Sequence, residues 1–564
     1  MKIVTSKSAF RKLSALIILI SISLFQSIQA QDKITIKNPI LKGFYPDPSI
    51  EKVGDDYYLI NSTFSYFPGI PIFHSKDLKN WKQIGNIIDR PEQMDFMGER
   101  MTRGLFAPAI SYHKGVFYVV CTDIDNDGNF VVTATNPAGP WSKPVKLPEV
   151  KGIDPSIFFD NDKAYIIYNS DAPDFKPLYD GHRTIRMYEF DYQNLRVNGQ
   201  ETILVNGGVD LAKKPVWIEG PHLYKRGEYY YLCAAEGGTS VNHSQVIFRS
   251  KDVKGPFIPW DKNPILTQRN LSPNRPNPIT STGHADLVEG PDGNTYAVFL
   301  AVRPYSGDYY NTGRETFIAP VKWTEDGWPI INPDHKEIQY EYTFNWKEQT
   351  EKAPFPLNGN FQQRYIFKDT IANSLLFMRT KDDSWYSLSK QKGLILKLKP
   401  ETIMQEGNPA FIGRRQQHLK MEASTDMEFT PQNGNETAGI IIFQSEKHFY
   451  YMCKSKFQKY DVIQLYRGDA NNPFMDLVTQ KQTKKSAKVQ LKIVADGASY
   501  SFYYAEKKDE WKPLREKMDG RYLSTKSAGG FVGCLIGVYA SSNGQASTNQ
   551  VHFKYLDYLG KDDL

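Results

Sequence analysis

The chain has 564 residues, a net charge of +6 at pH 7, and charged residues that are spread without a basic run. This length exceeds one ordinary hydrophobic core and indicates two domains, and the near-balanced charge excludes the strongly basic surface of a nucleic-acid-binding protein. The composition includes 34 Tyr, 32 Phe, 9 Trp, 40 Gly and 34 Pro. It is typical of many short strands joined by tight turns.

The first thirty residues have the pattern of a secretory signal peptide. Four basic residues within the first twelve precede an apolar stretch at 13–25, and the segment ends with Ala30. The apolar stretch is too short to span a bilayer comfortably, and no second long apolar stretch follows it. We therefore predict cleavage after residue 30 and a secreted protein, periplasmic or extracellular, without a membrane anchor.

Residues 31–345 repeat one theme five times: a short apolar strand entered through a turn, a charged hairpin, and a Tyr-rich strand. The repeats begin near Asp47, Ala107, Asp154, Glu219 and His284, roughly 47 to 65 residues apart. This spacing is in or above the range of the four-stranded blades of a β-propeller. We therefore predict an all-β fold in which residues 31–345 form a five-bladed β-propeller.

The pattern changes after the fifth repeat, where the strands become longer and alternate more regularly. Stretches such as 438–443 and 529–539 are typical of antiparallel strands, with Asn-Gly and Asp-Gly turns nearby. We predict that residues 355–564 form a β-sandwich. Two of the four cysteines, Cys453 and Cys534, lie in this half and are candidates for a disulfide, and buried free thiols are the alternative.

The innermost strand of each propeller blade borders the central axis, so residues at equivalent starts of successive blades meet in one pocket. Asp47, Asp154 and His284 occupy such positions. With the prolines in register, Gly220 is opposite Asp47, and Glu219 enters one residue earlier. Each acidic residue alone is often only a turn former, and His284 alone is equally consistent with a core histidine. Their joint placement favours a shared site.

Three carboxylates in one pocket repel one another, which raises the pKa of at least one of them. Hydrolysis of a glycosidic bond needs one carboxylate that activates water and one protonated carboxyl that donates to the leaving oxygen. Asp47, Asp154 and Glu219 supply both. Flat aromatic side chains also suit the C–H faces of sugars. The sequence therefore predicts a glycoside hydrolase with these three catalytic carboxylates.

Four motifs resemble those of glycoside hydrolase family 43 and cover essentially the whole first domain: YPDPSI at 45–50, GIDPSI at 152–157, EGPHL at 219–223 and GHAD at 283–286. The resemblance implies that Asp47 is the general base, Glu219 the general acid, and Asp154 the carboxylate that orients the acid and tunes its pKa. It also implies inversion at the anomeric carbon, with the base and acid carboxyls about 6.5 to 9.5 Å apart. No organic cofactor is required.

The two-domain layout is similar to that of β-xylosidase and arabinofuranosidase members, whose C-terminal sandwich is a concanavalin-like jelly roll. This resemblance implies that Arg303 grips sugar hydroxyls, that Phe64 walls the terminal sugar subsite, and that Phe106 stacks there where relatives often have Trp. In such relatives an aromatic residue of the sandwich closes the pocket, and Phe531 is the match here. Some relatives hold an axial calcium ion, mostly water-coordinated, which here would lie near His284; no protein metal ligands are predicted.

We therefore predict an exo-acting, inverting enzyme that releases terminal xylose (a β-xylosidase) or arabinose (an α-L-arabinofuranosidase) from hemicellulose-derived oligosaccharides, with xylose as the first choice. Its partner is an oligosaccharide from xylan or arabinan, and no nucleic acid, membrane or oligomeric state is predicted. Two alternatives are an endo-acting arabinanase, which needs an open groove, and a non-catalytic carbohydrate-binding protein. The sandwich disfavours the first, and the three carboxylates disfavour the second.

Overall fold

The computed structural model of the chain describes residues 32–349, 353 and 355–562, and the predicted signal peptide lies outside them. In this part of the chain, helical structure is limited to the 3-10 helices Pro173–Phe175, Leu211–Lys213 and Gly520–Leu523 and the α-helix Thr525–Ala528. No helix of the described residues is long and apolar enough to cross a membrane. Strands make up nearly all the remaining regular structure, so the prediction of an all-β chain is confirmed.

The first half of the described chain contains five antiparallel sheets of four or five strands, each formed by one segment of the chain and here named blades 1 to 5. Blade 1 comprises Ser49–Val53, Asp56–Ile60, Gly69–Ser75 and Lys82–Ile88, and blade 2 comprises Leu105–His113, Val116–Asp123, Gly128–Ala134 and Val145–Lys146. Blade 3 comprises Ile153–Asp160, Lys163–Asp171, Arg183–Asp191 and Arg196–Asn206. Blade 4 comprises Glu219–Arg226, Tyr229–Glu236, Ser244–Ser250, Ile258–Pro259 and Leu266–Thr267. Blade 5 comprises Thr280–Glu289, Thr295–Val302, Glu315–Trp323 and Pro329–Ile331.

The first strands of the blades contact one another in a ring that runs from blade 1 through blade 5 and back to blade 1. This is the arrangement of a β-propeller, whose first strands border the axis. Across the closure, Asp286 Oδ2 of blade 5 accepts hydrogen bonds from Ser49 Oγ at 3.0 Å and Ile50 N at 2.9 Å of blade 1. The strand Ile34–Lys37 also pairs with Glu341–Phe344 and joins the two ends of the propeller.

The second half of the described chain forms two antiparallel sheets that enclose one apolar core. The first contains Phe361–Ile366, Tyr386–Ser389, Gly393–Lys397, Lys420–Glu428, Lys488–Asp496, Ser499–Ala505, Lys512–Asp519 and Gln550–Gly560. The second contains Ala410–Arg415, Thr437–Ser445, His448–Phe457, Tyr460–Arg467, Asp476–Gln482 and Leu535–Ser541. Buried and more exposed side chains alternate along strands such as Lys420–Glu428, because only one face of the sheet meets the core.

All four cysteines are buried free thiols.

The sandwich is docked on the propeller through both backbone and apolar contacts. The strand Phe377–Met378 of the sandwich pairs with Tyr66–Phe67, which lies between the second and third strands of blade 1, although the two are far apart in sequence. An apolar cluster continues across the boundary and includes Phe44, Phe64 and Met101 from the propeller side and Phe443 and Tyr539 from the sandwich. Because this boundary is packed like a protein interior, the sandwich can hold side chains at fixed positions beside the propeller.

Arg303 lies at the domain boundary and not in the predicted sugar subsite, so that prediction is wrong. Its Nε and Nη2 donate to the Glu315 carboxylate at 2.6 and 2.9 Å, and its Nη1 donates to Asp562 at 2.9 Å. Lys42 Nζ donates to the same Asp562 oxygen at 3.0 Å. With two carboxylates occupying its guanidinium and only 1% of its surface exposed, Arg303 has no access to a sugar.

Replacing Arg303 by methionine should lower the thermal unfolding midpoint, because it leaves Glu315 without its cation in a buried setting. Loss of one partner of a buried ion pair costs about 3–5 kcal/mol. The matched control is Arg196→Met, since the Arg196 side chain is 69% exposed and lies 3.5 Å from its partner Asp191. Equal midpoints for the two variants in thermal melts would contradict the structural role of the buried network.

Candidate active site

A cavity of about 620 Å³ opens at the starts of the inner strands. Seven of the eight side chains predicted for the site line it: Asp47, Asp154, Glu219, Phe64, Phe106, His284 and Phe531. The exception is Arg303, which lies at the domain boundary. Side chains that the sequence did not single out also line the cavity, among them Arg103, Arg183, Trp217, Thr239 and Arg314. The structure thus brings residues of several blades and of the sandwich together.

One backbone conformation recurs where each inner strand begins. The residues Asp47, Ala107, Asp154, Gly220 and His284 have φ angles of 51°, 31°, 54°, 57° and 52°. In blades 2 to 5 the strand pairing is irregular at this point, which is typical of a bulge. A left-handed backbone costs a residue other than glycine roughly 1–2 kcal/mol. The fold therefore bears repeated strain in order to aim these side chains at the axis.

The position of Glu219 follows from this repeat. The left-handed residue of blade 4 is Gly220, and Glu219 occupies the preceding position, as Phe106 and Ile153 do in blades 2 and 3. Both positions of the bulge therefore face the cavity. A Cβ atom on Gly220 would lie 2.8 Å from His284 Cε1, so this close approach of the imidazole requires glycine.

The Asp47 carboxylate is held by charged and neutral donors. Arg314 Nη1 donates to Asp47 Oδ1 at 2.8 Å, and Arg314 Nη2 donates to Oδ2 at 3.3 Å. Ser62 Oγ donates to Oδ2 at 2.6 Å. Arg314 Nη1 also donates to Thr239 Oγ1 at 3.2 Å, which fixes the guanidinium. A buried carboxylate with these three donors has a defined orientation toward the cavity.

Asp154 and Glu219 are neighbouring carboxyl groups that influence each other electrostatically. Asp154 Oδ2 accepts a hydrogen bond from Gly220 N at 3.0 Å and so fixes the backbone directly after Glu219. Burial and the nearby charge of Asp47 raise the pKa of Asp154. Burial, followed by the charges of Asp154 and Asp47, raises the pKa of Glu219 to about 8. Among the described residues the Glu219 carboxyl has no hydrogen-bonding partner, and its raised pKa favours the protonated form, which can donate into the cavity.

Three phenylalanines from both domains form an aromatic wall of the cavity. The ring centroids of Phe64 and Phe106 are 5.2 Å apart, and Phe531 lies parallel to Phe64 at 6.1 Å. The guanidinium of Arg314 lies 5.6 Å from the Phe531 centroid. Phe531 N donates to Thr102 Oγ1 at 2.7 Å, which anchors the sandwich loop to the propeller. The wall offers flat apolar faces beside the carboxylates.

His284 is a buried, neutral neighbour of Asp47. Its Nδ1 lies 3.9 Å from Asp47 Oδ1, and burial lowers its pKa to about 4. Within residues 32–349, 353 and 355–562, no three His, Cys, Asp or Glu side chains are placed to hold a metal ion. A calcium ion near His284 would therefore be held mainly by water or by backbone and amide oxygens. A water-coordinated calcium there stays a prediction, and no step of the reaction is assigned to it.

Arg314 is the most important residue that the sequence analysis missed. It directly precedes the blade 5 strand Glu315–Trp323, and neighbouring residues of a strand point to opposite sides. Glu315 consequently binds Arg303 at the domain boundary, while Arg314 binds Asp47 in the cavity. The sequence indicates only that an arginine lies at the cavity end of a blade 5 strand. This holds for Arg303 as well as for Arg314, so it does not tell which of the two enters the cavity.

Comparisons with known proteins agree with this geometry. The family model of Glycosyl hydrolases family 43 matches residues 36–329, and that of the Beta xylosidase C-terminal Concanavalin A-like domain matches residues 367–559. The chain is 40% identical to a xylosidase/arabinosidase of Butyrivibrio fibrisolvens, over 93% of this chain and 99% of that protein. It is 37% identical to a non-reducing end α-L-arabinofuranosidase of Bacteroides ovatus, over 97% of this chain and 99% of that protein.

A solved structure gives the same assignment. The xylan β-1,4-xylosidase from Bacillus halodurans aligns with a TM-score of 0.84 at 31% identity, covering 93% of this chain and 100% of that one. The similarity therefore extends over both domains of this chain and nearly the full length of these relatives. The predicted family is confirmed: the chain belongs to glycoside hydrolase family 43 and is a two-domain glycosidase.

Proposed function

We propose that the protein is an exo-acting, inverting glycosidase that removes a terminal β-D-xylosyl or α-L-arabinofuranosyl residue from oligosaccharides derived from xylan or arabinan. The observation that carries this proposal is one cavity lined by Glu219, whose pKa is raised, by Asp47 bound to Arg314, and by an aromatic wall that Phe531 of the sandwich completes. The names of the relatives, which include xylosidases and an arabinofuranosidase, support the choice of sugars.

The proposed chemistry assigns one task to each carboxyl group. Glu219 donates its proton to the glycosidic oxygen as the bond to the anomeric carbon breaks. Asp47 accepts a proton from the water that attacks the anomeric carbon from the opposite face. Asp154 holds the backbone next to Glu219 through Gly220 N and, through its charge, keeps the acid protonated. The sugar ring packs against the aromatic wall during the reaction.

Xylose stays the first choice of sugar, and the alternatives are separable by their products. In separate assays with 4-nitrophenyl β-D-xylopyranoside and 4-nitrophenyl α-L-arabinofuranoside, both sugars should be released, and xylose should be released faster. On linear arabinan and on xylo-oligosaccharides, only monosaccharide should accumulate at early times. Longer arabinan fragments would indicate the endo-acting alternative. Binding without any turnover at micromolar enzyme would indicate a carbohydrate-binding protein.

Replacing Asp154 by asparagine should shift the alkaline limb of the pH profile to lower pH. The limb arises because activity is lost as pH rises through the Glu219 pKa and the acid loses its proton. Asparagine removes the negative charge that helps to raise this pKa, so the pKa falls by roughly one unit. The measurement is kcat/KM for an aryl glycoside across pH 5 to 10 for both proteins. An unmoved limb would contradict the electrostatic role of Asp154.

We also propose that the protein acts outside the cytoplasm. The support is the basic and apolar pattern of residues 1–30, which ends at Ala30. Free, buried cysteines give a fold that does not depend on disulfide bonds in either compartment. Fractionation of the producing cells, followed by N-terminal sequencing, should find a protein that begins at Gln31. A cytoplasmic protein that retains Met1 would overturn this proposal.

A further inference from the structure

A second cavity, of about 400 Å³, adjoins the active-site cavity and shares Arg183 and Trp217 with it. It lies between the loop at 171–183 and the end of the segment at 207–217, and we call it the side groove. The two segments are joined where Trp217 N donates to Gly181 O at 2.9 Å. The side groove therefore borders the space where the proposed reaction takes place, and Arg183 and Trp217 face both cavities.

The side groove lies on the same side as the proposed acid. Trp217 precedes Glu219 by two residues, a distance of at most about 7 Å along the chain. Arg183, which lines both cavities, adds its charge to the surroundings of Glu219. A general acid must lie within hydrogen-bond reach of the leaving oxygen. The leaving group is therefore next to Glu219. The sugar residues attached beyond the leaving oxygen can then reach Arg183 and Trp217.

Apolar side chains are unusually exposed at this groove. Phe175 and Trp217, which line it, are 74% and 38% exposed, and Leu178 in the same loop as Phe175 is 68% exposed. Scattered exposed apolar residues need no explanation, but a cluster beside an active site is typical of a binding surface. Two flat rings in such a cluster match the C–H faces of sugar residues.

Contacts within the protein hold the side chains of the groove in place, so the binding surface is preformed. The Arg183 guanidinium lies 4.6 Å from the Trp217 ring centroid, and Arg183 also donates to Asn169 Oδ1 at 2.7 Å. Asp174 and Phe175 both have left-handed backbones, with φ angles of 53° and 56°. Each costs roughly 1–2 kcal/mol, and such strain concentrates at ligand clamps. A preformed aromatic surface binds with a small loss of conformational freedom.

We propose that the side groove binds the leaving-group portion of the substrate, with neutral sugar residues beyond the scissile bond packing on Trp217 and Phe175. A neutral ligand rich in hydroxyl groups fits because Arg183 and Asp171 are paired with each other, which leaves Asp180 as a carboxylate that can accept hydrogen bonds. This inference rests on the proposed function, because it takes Glu219 as the acid. The enzyme then prefers short oligosaccharide chains over a disaccharide, although it removes one sugar at a time.

The test compares substrates of increasing length. For the wild type, kcat/KM should rise by roughly 3- to 10-fold from xylobiose to xylotetraose, as expected for one or two ring contacts. Phe175→Ala should remove most of this rise, because it deletes the outer ring. The matched control is Phe474→Ala on the sandwich, since Phe474 is 75% exposed and lies far from the groove in sequence. The control should keep the wild-type dependence on length.

A binding measurement separates failure of the groove from failure of the proposed function. In calorimetry, the Glu219→Gln protein should bind xylotetraose several-fold more tightly than xylobiose, and a second Phe175→Ala change should abolish the difference. If the wild type hydrolysed no glycoside, the proposed function would be overturned. Length-dependent binding would still support the proposed role of the side groove. Equal kcat/KM and equal affinity for all lengths would overturn the groove itself.

Discussion

Replacing Asp47 by asparagine should lower kcat/KM for every glycoside substrate by roughly 10²- to 10⁴-fold, the usual contribution of a general base. Asparagine has the shape of aspartate, and its one amide oxygen, in the place of Oδ2, can still accept from Ser62 Oγ and Arg314 Nη2, but it cannot take a proton from the attacking water. The loss should be independent of the leaving group, because water activation is needed whichever bond breaks. Initial rates on aryl glycosides and on xylo-oligosaccharides measure it.

A surface aspartate of the same blade provides the matched control. Asp55 lies in the exposed hairpin between the first two strands of blade 1, so Asp55→Asn should retain wild-type rates. Thermal melts of both variants establish that each is folded. If Asp47→Asn stayed within threefold of the wild-type rate, Asp47 would not be the base, and the role of Arg314 would need a different explanation.

Much of the fold follows from the sequence because its signals are local and repeated. Each blade begins with an apolar strand, a charged hairpin and a second apolar strand, and all of these depend on neighbouring residues only. The docking of the sandwich has no such signal. Phe377–Met378 pairs with Tyr66–Phe67 across about 300 residues, and no local pattern in either segment specifies the partner.

The positions of the catalytic carboxylates could also be predicted from the repeated local pattern of the blades. Asp47 and Asp154 begin equivalent strands, and the structure shows the same left-handed backbone at both. The one-residue offset of Glu219 also has a physical cause, since the left-handed position of blade 4 is glycine and the cavity accepts side chains from two adjacent positions. Repetition in the sequence thus corresponds to repetition in the backbone.

The arginine of the site could not be placed in this way. Arg303 and Arg314 both lie at ends of neighbouring blade 5 strands, and their roles depend on which direction each side chain takes. That direction is set by contacts with distant residues: Asp562 near the C-terminus for Arg303, and Asp47 in blade 1 for Arg314. A single sequence does not contain this three-dimensional information.

Replacing Glu219 by alanine should give a loss that depends on the leaving group. On xylo-oligosaccharides, where the departing sugar oxygen needs a proton, kcat/KM should fall by roughly 10²- to 10⁴-fold. On a 2,4-dinitrophenyl glycoside the loss should be much smaller, because dinitrophenolate departs without protonation. The control is Glu228→Gln, since the Glu228 side chain is 65% exposed and pairs with Lys251 at the surface.

The two carboxylate variants together distinguish the acid from the base more sharply than either does alone. Asp47→Asn should be slow on both substrates, whereas Glu219→Ala should recover most of its rate on the activated one. The pH profile adds a third contrast, because Glu219→Ala no longer has an acid to deprotonate and should lose the alkaline limb on the activated substrate. If the two variants lost rate equally on both substrates, the assignment of acid and base to Glu219 and Asp47 would be wrong, even though both residues line the cavity.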